Sequence, residues 1–365
     1  MKVSITRTEL LDALSIASKG LSSRTTLPIL SGILFSAQND ELRLNSTDLE
    51  ISIKTSSKAR VEEPGSAVVP GKLITDIVRN LPESAVTIET TQNGATVSCA
   101  QSSFVVRTLS ADDFPKFPDV TPGEMVSLPT GVFSEVVHQV SRAVSRDETR
   151  PILTGVLVVV DEGTLRMAAT DSYRLCVREV PVEGVLGSLE AVVPGRAIED
   201  VARLGASAEA IKIGVSENQV VFAFNETTFV SRRIEGTFPN HKQLIPKEYV
   251  TRLIIGRQDL LEAVKRVSLM AQHSAPLRMK VSTSDRILTI SAQTQDVGEA
   301  TEDLEIDAQG EDVEIAFNHA YLTDGVSVAD GDKVAIEIVS PLKPGVMKHP
   351  GGEDFIYLLM PVRLG

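Results

Sequence analysis

Two Thr-Asp pairs are the first residues whose type and position could support chemistry. Thr47-Asp48 ends the alternating segment "LRLNSTD", and Thr170-Asp171 ends "LRMAATD". A carboxylate at such a place could act as a general acid or base. Because the two pairs occupy matching places in similar sequence, we favour a structural role, in which each carboxylate accepts hydrogen bonds from turn N–H groups.

Other residue groupings give only a weak sequence signal for a ligand site. The segment "GSAVVPGKL" resembles a P-loop, but its glycines are six residues apart rather than five. Leu73 also follows the lysine where Ser or Thr would hold Mg²⁺. We interpret it as a turn entering a helix. The five histidines are scattered, and no Cys or His cluster has metal-ligand spacing. No G-x-S-x-G elbow occurs. We therefore expect no metal, no cofactor and no enzymatic activity.

Composition limits the class of protein. The chain has 365 residues, 42% hydrophobic and 23% charged, which predicts a soluble globular protein of two or three domains. No apolar run suits a signal sequence or a membrane span. Cys99 and Cys176 are the only cysteines, which fits a reducing cytoplasm. A net charge of −13 taken alone argues against nucleic-acid binding.

The chain repeats itself. "PILSGILFSAQNDELRLNSTD" from Pro28 aligns without a gap to "PILTGVLVVVDEGTLRMAATD" from Pro151. "VVPGKLITDIVRNL" matches "VVPGRAIEDVARLG", and "SFVVRTLSADDFP" matches "TFVSRRIEGTFP". A fainter third copy keeps the strand alternation in "LTISAQT", has "EIAFNHAYLTDGVSV" in place of the second helix, and ends in "DFIYLLMPVRL". Ordered copies of this kind predict three similar domains.

Each copy combines two periodicities. "TELLDALSIASKGL", "GVFSEVVHQVSRAVS" and "RQDLLEAVKRVSLMA" have apolar residues at helical spacing, and shorter helices follow Pro70-Gly71 and Pro194-Gly195. Most other segments alternate as strands with one buried face. The pattern predicts an α+β fold with about two helices and eight strands per copy, the helices packed on antiparallel sheets. We expect domains at residues 1–122, 123–249 and 250–365.

The departures from the repeat point to a family. Thr170-Asp171 continues as Ser172-Tyr173-Arg174-Leu175, and the chain closes with Met360-Pro361-Val362-Arg363-Leu364. Together with the three copies and their Phe-Pro closings, these motifs make the whole chain resemble the bacterial DNA polymerase III beta subunit family, the sliding clamps. The resemblance implies the DNA clamp fold and a head-to-tail homodimer closed into a ring around duplex DNA. Such a ring tethers the replicative polymerase, the clamp loader and repair proteins, and catalyses nothing.

That geometry accounts for the charge. The five clearer helix candidates carry eleven basic and eight acidic residues, so the remainder of the chain is more acidic than the whole. Basic helices lining the hole would attract phosphates without reading bases, and an acidic outer wall would repel DNA. An aromatic content of 4% with no Trp argues against a base-stacking groove for single strands.

The resemblance also implies where DNA and the second chain bind. The DNA-facing candidates are basic residues of the helices and of one loop, namely Arg24, Lys72, Arg79, Arg142, Arg146, Arg196, Arg203, Lys265 and Arg266. The strand "SFVVRTL" has the apolar character of an edge that must be covered. We expect Phe104 and Val106 in this strand to meet Leu269 and Met270 of the partner chain.

A partner-peptide groove is implied between the second and third domains. Its expected residues are Leu153, Thr170, Ser172, Tyr173, Arg174, Leu175, Pro239, Gln243, Leu244, Leu342, Pro344, Leu358, Met360, Pro361, Val362, Arg363 and Leu364. Leu and Met would give an adaptable apolar floor, and Pro361 would keep the last residues extended. Arg174 and Arg363 could bond acidic or polar peptide groups. The plainer alternative is a C-terminal strand that only completes a sheet.

Two other functions remain open at this stage. A β-rich adhesion or carbohydrate-binding array would not need matched basic helices. An enzyme with a site between the repeats should show a convergent set of unique His, Asp, Glu or Lys residues, and the sequence shows none.

Overall fold

The computed structural model describes residues 1–22, 26–91, 94–120, 125–271, 275–295 and 297–363. The first third contains β1 Lys2–Thr6, α1 Arg7–Ala17, β2 Gly32–Gln38, β3 Glu41–Thr47, β4 Ile51–Lys58, β5 Arg60–Glu63, β6 Gly65–Pro70, α2 Gly71–Asn80, β7 Ala85–Thr91, β8 Gly94–Cys99 and β9 Ser102–Val106. The middle third contains β10 Met125–Pro129, α3 Thr130–Val140, β11 Gly155–Asp161, β12 Thr164–Thr170, β13 Arg174–Pro181, β14 Leu189–Pro194, α4 Gly195–Leu204, β15 Ala210–Val215, β16 Gln219–Phe224 and β17 Thr227–Arg232. The last third contains β18 Thr251–Gly256, α5 Arg257–Val267, β19 Leu277–Ser282, β20 Ile287–Thr294, β21 Gly298–Glu305, β22 Asp307–Gly310, β23 Val313–Phe317, α6 His319–Val328, β24 Lys333–Ile338, β25 Gly345–Lys348 and β26 Phe355–Leu359.

This element order confirms the predicted α+β fold. Each copy contributes two helices, and the strands per copy are close to the eight expected. The segment that resembles a P-loop is strand β6 running directly into α2, so its interpretation as a helix entry is confirmed. In the third copy, "EIAFNHAYLTDGVSV" forms β23 and α6 at the place of the second helix.

The chain forms two compact units, and each contains two antiparallel sheets. The first unit comprises Met1–Phe133 and Arg196–Arg233. Its sheets have the strand orders β5-β1-β7-β8-β9 and β10-β15-β16-β17-β4-β3-β2-β6. Strand β17 pairs with β4, with Phe229 opposite Ile53, so strands of the second copy extend a sheet of the first copy.

The second unit comprises Ser134–Gly195 and Ile234–Gly365. Its sheets have the orders β14-β11-β12-β13-β26-β25-β24-β18-β22 and β21-β20-β19-β23. Here β13 pairs with β26, with Leu175 opposite Leu358. The compact units therefore divide the middle copy between them, because its two groups of strands pair with different neighbours. The limits at residues 122 and 249 stay a prediction.

Local sequence explains how the helices are held on the sheets. The Thr6 side chain accepts a hydrogen bond from the Glu9 N–H and caps α1, whose buried face includes Leu10 and Leu14. Burying each such leucine contributes about 1.5–3 kcal/mol. In the second unit, α6 approaches β26 closely at Gly325, where an added Cβ would lie 2.5 Å from the Tyr357 ring. This close approach brings α6 against the strand that carries much of the candidate site.

Candidate functional site

The Thr-Asp pair before β13 makes a tight turn. Asp171 Oδ1 accepts hydrogen bonds from the N–H groups of Tyr173 at 2.9 Å and Arg174 at 3.0 Å. Ser172 takes a positive φ of 79° between them. Asp48 does the same in the first copy, accepting from Glu50 at 3.0 Å and from the next N–H at 2.7 Å. The structural interpretation of both aspartates is therefore confirmed.

Arg174 is enclosed by its own unit. Its side chain is only 10% exposed, and its Nε–H donates to Asp171 Oδ2 at 3.1 Å. Nη1 donates to the Asp324 carboxylate and to the Tyr357 hydroxyl at 3.2 Å. The guanidinium also lies 4.4 Å from the centre of the Tyr321 ring. Nε and Nη1 are engaged within the protein and tie β13 to α6. The expectation that this arginine bonds peptide groups stays a prediction.

The opposite side of β13 carries a continuous apolar surface. Side chains alternate along a strand, so Leu175 and Val177 face away from Arg174. They join the register partner Leu358 in one cluster of buried side chains. We call this cluster the apolar face; its buried members are Leu157, Ala168, Leu175, Val177, Val192, Phe238, Val346 and Leu358. Two of the expected groove residues, Leu175 and Leu358, thus lie together in it.

Several expected groove residues are large apolar side chains exposed to solvent. They are Tyr173, Leu244, Leu342 and Met360, which we call the exposed rim. The Met360 N–H donates to the Tyr173 carbonyl at 2.8 Å, which joins two of them. Gly345 pairs with Leu359 across antiparallel strands, so half-buried Pro344 lies beside Met360. Leu244 directly precedes Ile245, which packs on the apolar face.

The C-terminal segment runs on past β26 without regular structure. The Val362 N–H donates to the Ala316 carbonyl at 2.8 Å, and Pro361 is half-buried. Arg363 is exposed, and Leu364 lies outside the described residues. This segment is therefore held by backbone hydrogen bonds beyond the end of the strand, which a strand that only completes a sheet does not require.

The remaining expected groove residues have mixed placements. Leu153 and Thr170 are buried, and Thr170 donates to the Arg174 carbonyl at 2.7 Å. Pro239 is half-buried and Gln243 is exposed. These placements do not bring every candidate into direct contact with the apolar face.

Sequence reasoning missed several residues of this region. Phe238 belongs to the Phe-Pro closing motif, and Val346 follows Pro344-Gly345 at the start of β25. Tyr321, on α6, stacks against Tyr173 with ring centres 6.3 Å apart. The Phe-Pro motif was a usable signal for Phe238, whereas nothing in the repeat pattern singles out Tyr321.

A polar cleft of about 430 Å³ adjoins Tyr173. Arg150 crosses it, donating to Ser172 Oγ at 2.9 Å and to Asp147 at 2.9 Å. Arg146 is exposed in the lining of this cleft. Arg146, which we expected to face DNA, therefore lies close to the exposed rim.

The other basic candidates are exposed but differ in their partners. Lys72, Arg142 and Lys265 are exposed, and among described residues no side chain forms an ion pair with them. Arg79 pairs with Asp76 at 3.1 Å. Arg266 is held to Glu302 by two hydrogen bonds of 3.0 and 2.6 Å, and is less available to an outside phosphate.

Of the last three basic candidates, two lie on α4 and one precedes β2 in the sequence. Arg196 and Arg203 flank a buried aspartate on α4. Arg24, the loop candidate, lies outside the described residues.

Strand β9 ends the five-stranded sheet, so one of its edges is unpaired within the described residues. Phe104 and Val105 are exposed, but the Val106 side chain lies in the core of the first unit. The expectation of a side-chain contact from Val106 is corrected accordingly. In the second unit, Leu269 is exposed and Met270 half-buried.

The titratable groups near the apolar face are shifted by burial. Burial raises the pKa of the Tyr357 hydroxyl and of the Cys176 thiol far above their ordinary values. Burial, reinforced by Arg166 and Lys242, lowers the pKa of His241 below its usual 6.5. Among described residues, no three His, Cys, Asp or Glu side chains are grouped to hold a metal ion. No helix in the described part of the chain has the length and apolar character to span a membrane.

Comparisons with known proteins cover the whole chain. Family models of the DNA polymerase III beta subunit match in order: the N-terminal domain over residues 1–118, the central domain over 127–240 and the C-terminal domain over 242–363. The beta sliding clamp of Staphylococcus aureus is 33% identical, over 100% of this chain and 99% of its own. A solved Bacillus subtilis sliding clamp is 29% identical with a TM-score of 0.95, and a Pseudomonas aeruginosa clamp bound to griselimycin is 27% identical with a TM-score of 0.94. Both structural alignments cover 100% of each chain.

Proposed function

This chain belongs to the DNA polymerase III beta subunit family, the sliding clamps, and from that premise we propose that it works as a processivity factor. Two copies close head to tail into a ring around duplex DNA. The ring slides without reading sequence and tethers the replicative polymerase, the clamp loader and repair proteins. Tethering raises the effective concentration of the polymerase at the primer end, and the clamp itself catalyses no reaction. The protein acts in the cytoplasm. Its three domains span residues 1–122, 123–249 and 250–365, as the repeats indicate.

One observation supports the tethering role: exposed Leu244 and Met360 lie within two residues of Ile245 and Leu358 of the apolar face. Exposed hydrophobic residues that adjoin a buried apolar surface are typical of sites where another protein binds. An extended peptide would cover Leu342, Leu244 and Met360 and exclude water from them. Exposed Arg363 is a candidate for bonding a peptide's polar group, together with Arg174, whose Nε and Nη1 also bond within the protein. The griselimycin complex of a relative supports a ligand site in this family.

The peptide should carry a Gln, then a Leu, then a hydrophobic or aromatic residue. We expect micromolar affinity, which corresponds to about 8 kcal/mol. Removing residues 360–365 should abolish binding and polymerase stimulation while leaving a folded dimer, because the deleted segment lies beyond β26. Undiminished affinity in the truncated protein would show that the peptide binds elsewhere.

A matched pair of leucines tests the exposed rim by point substitution. Leu342 is 72% exposed at the proposed groove, whereas Leu186 is 81% exposed in a loop away from it in sequence. Leu342→Ser should weaken peptide binding about tenfold, the cost of losing one buried leucine contact. Leu186→Ser should leave the affinity unchanged, as measured by titration calorimetry. Equal losses in the two variants would argue against the groove.

The dimer joint is proposed at two sheet edges. Strands β9 and β21 each end a sheet, and such edges invite pairing with another chain. Leu269 and Met270 lie just after α5, and the Met270 carbonyl accepts a hydrogen bond from Thr294 Oγ1 of β20, the neighbour of β21. We propose that β9, through its backbone edge and Phe104, joins this region of the partner.

Replacing both Leu269 and Met270 by Ala should give folded monomers, because the joint loses apolar contacts. Sedimentation velocity at low protein concentration would measure this, with Leu186→Ala as the control that stays dimeric. A double variant that remains dimeric would place the joint elsewhere.

The basic residues named above are proposed to contact DNA phosphates, with Arg24 included by resemblance alone. Because a closed ring stays on DNA by topology, these contacts need only be weak. Their contribution should fall as salt rises, since binding phosphates releases counterions.

A further inference from the structure

A buried carboxylate on α4 collects basic side chains around it. The Asp200 side chain is only 7% exposed. Lys19 Nζ lies 3.7 Å from its Oδ1, Arg203 Nη1 lies 3.9 Å from the same oxygen, and Arg196 Nε lies 3.8 Å from Oδ2. All four residues belong to the first compact unit. We call them the Asp200 cluster.

The cluster joins two copies of the repeat. Arg196 and Arg203 come from α4, one turn to either side of Asp200, while Lys19 comes from the short 3-10 turn that follows α1. A buried carboxylate is costly unless cations surround it. Here one negative charge lies among three positive charges, so the cluster keeps a surplus of positive charge.

That surplus is presented to solvent. The Arg196 and Arg203 side chains are 66% and 64% exposed. At 3.7 to 3.9 Å, the three cations are held by charge attraction rather than by short hydrogen bonds to Asp200. Within the described residues, no side-chain N–H of Lys19, Arg196 or Arg203 donates a hydrogen bond to another group. These donors remain free to meet an outside anion.

Helix α2 offers the same spacing in a different setting. Lys72, Asp76 and Arg79 occupy the places of Arg196, Asp200 and Arg203. The Asp76 side chain is half exposed, however, and among the described residues its one ion pair is with Arg79, at 3.1 Å. The matching sequence therefore gives a simple surface ion pair on α2 and a buried centre on α4.

We propose that Lys19, Arg196 and Arg203 bind neighbouring phosphates of the encircled DNA as one unit, and that Asp200 is the positioning residue that holds them together. The proposal rests on the proposed function, because it needs DNA to run past α4. It adds Lys19 as a DNA contact, and it gives a carboxylate a favourable role in binding a polyanion. Phosphate binding of this kind is independent of base sequence.

The comparison of Asp200→Asn with Asp76→Asn tests the proposal, because charge alone and positioning predict opposite results. If only net charge mattered, removing either carboxylate would strengthen binding to a phosphate backbone. With Asp200 as organiser, Asp200→Asn should weaken binding to a short duplex about threefold and lower the dependence of log affinity on log salt by about one. Asp76→Asn should bind as well as the parent protein or better. Fluorescence anisotropy across a range of salt concentrations measures both quantities.

Two further variants make the result decisive. Asp200→Glu should restore most of the salt dependence, which a purely structural role would not require. Lys19→Met should lower the salt dependence by about one even if Asp200→Asn fails to fold. Tighter binding by Asp200→Asn, or unchanged salt dependence in Lys19→Met, would overturn the proposal.

The double variant Arg196→Gln with Arg203→Gln separates this proposal from the proposed function. If it binds DNA more weakly while Asp200→Asn does not, the DNA-facing role of α4 stands and the organising role of Asp200 is wrong. If the double variant also binds normally at every salt concentration, α4 does not face DNA and both assignments fail.

Discussion

The two compact units each bury an ionic centre, and the centres have opposite signs. In the first unit, buried Asp200 lies among two largely exposed arginines and half-buried Lys19. In the second unit, buried Arg174 lies among Asp171, Asp324 and the Tyr357 hydroxyl. The sign of the buried group decides the sign of its surroundings. One centre therefore leaves positive charge at the surface, while the other supports the strand that carries the apolar face.

The two centres also differ in which charged groups would lose their partner if the central buried residue were replaced. Asp171 is nearly as buried as Arg174, and it is also held by the turn before β13. Around Asp200, in contrast, Arg196 and Arg203 reach water through exposed side chains, and Lys19 is only half-buried. Removing the buried group should therefore be far more costly in the second unit than in the first, because only there does a second charge stay buried without its partner.

The largest expected effect comes from Arg174→Ala. This change should lower the free energy of unfolding by about 3–5 kcal/mol, since it leaves the buried Asp171 carboxylate uncompensated. Arg166→Ala breaks an ion pair with Glu179 on the same sheet that is more exposed, and should cost at most about 1 kcal/mol. Asp200→Asn should fall near this smaller value. Scanning calorimetry would rank the three, and equal losses in Arg174→Ala and Asp200→Asn would contradict the distinction between the centres.

A smaller effect on the stability of the folded protein is expected when the pH falls below about 6.5. His241 packs edge-on against Phe238 of the apolar face, with ring centres 6.1 Å apart. Burial, with Arg166 and Lys242, lowers the pKa of His241 in the folded protein below its ordinary 6.5. Between these two pKa values the unfolded chain binds the proton more readily, so stability is complete above about pH 6.5 and falls as pH drops through the folded value. The second unit should be the one affected.

Thermal melting at a series of pH values between 7 and 5 would measure this loss. His241→Gln should flatten the curve in this range, whereas His349→Gln, which removes an exposed ring, should not. A parent protein whose melting temperature does not change over this range would contradict the assigned direction of the His241 shift.

Much of the fold was readable from the sequence because the repeat and its periodicities are local. The helix entry at Gly71 and the aspartate turns at Asp48 and Asp171 were predicted from such short patterns. The role of Arg174 was not, since its partner Asp324 is 150 residues away in the chain. The burial of Asp200 could not be predicted either, because Asp76 stands in the same pattern and is half exposed.

The apolar face shows the same limit. Leu175 and Leu358 were expected in the groove because the family resemblance pointed to them, and they lie together in the apolar face. Val106 was expected to meet the partner chain but lies in a core, whereas Phe104, two residues before it on the same side of the strand, is exposed. The sequence pattern predicts that side chains alternate along a strand. Which side of the strand faces the core depends on packing against residues far away in the chain.

The central claim, a closed ring around DNA, is tested most directly by changing the topology of the DNA while keeping its sequence. The protein is loaded onto a nicked circular plasmid, separated from free protein by gel filtration, and the plasmid is then cut once with a restriction enzyme. We predict that the protein stays bound to the intact circle and is lost within minutes after the cut, because a sliding ring leaves through free ends. Equal retention on circular and linear DNA would contradict the ring.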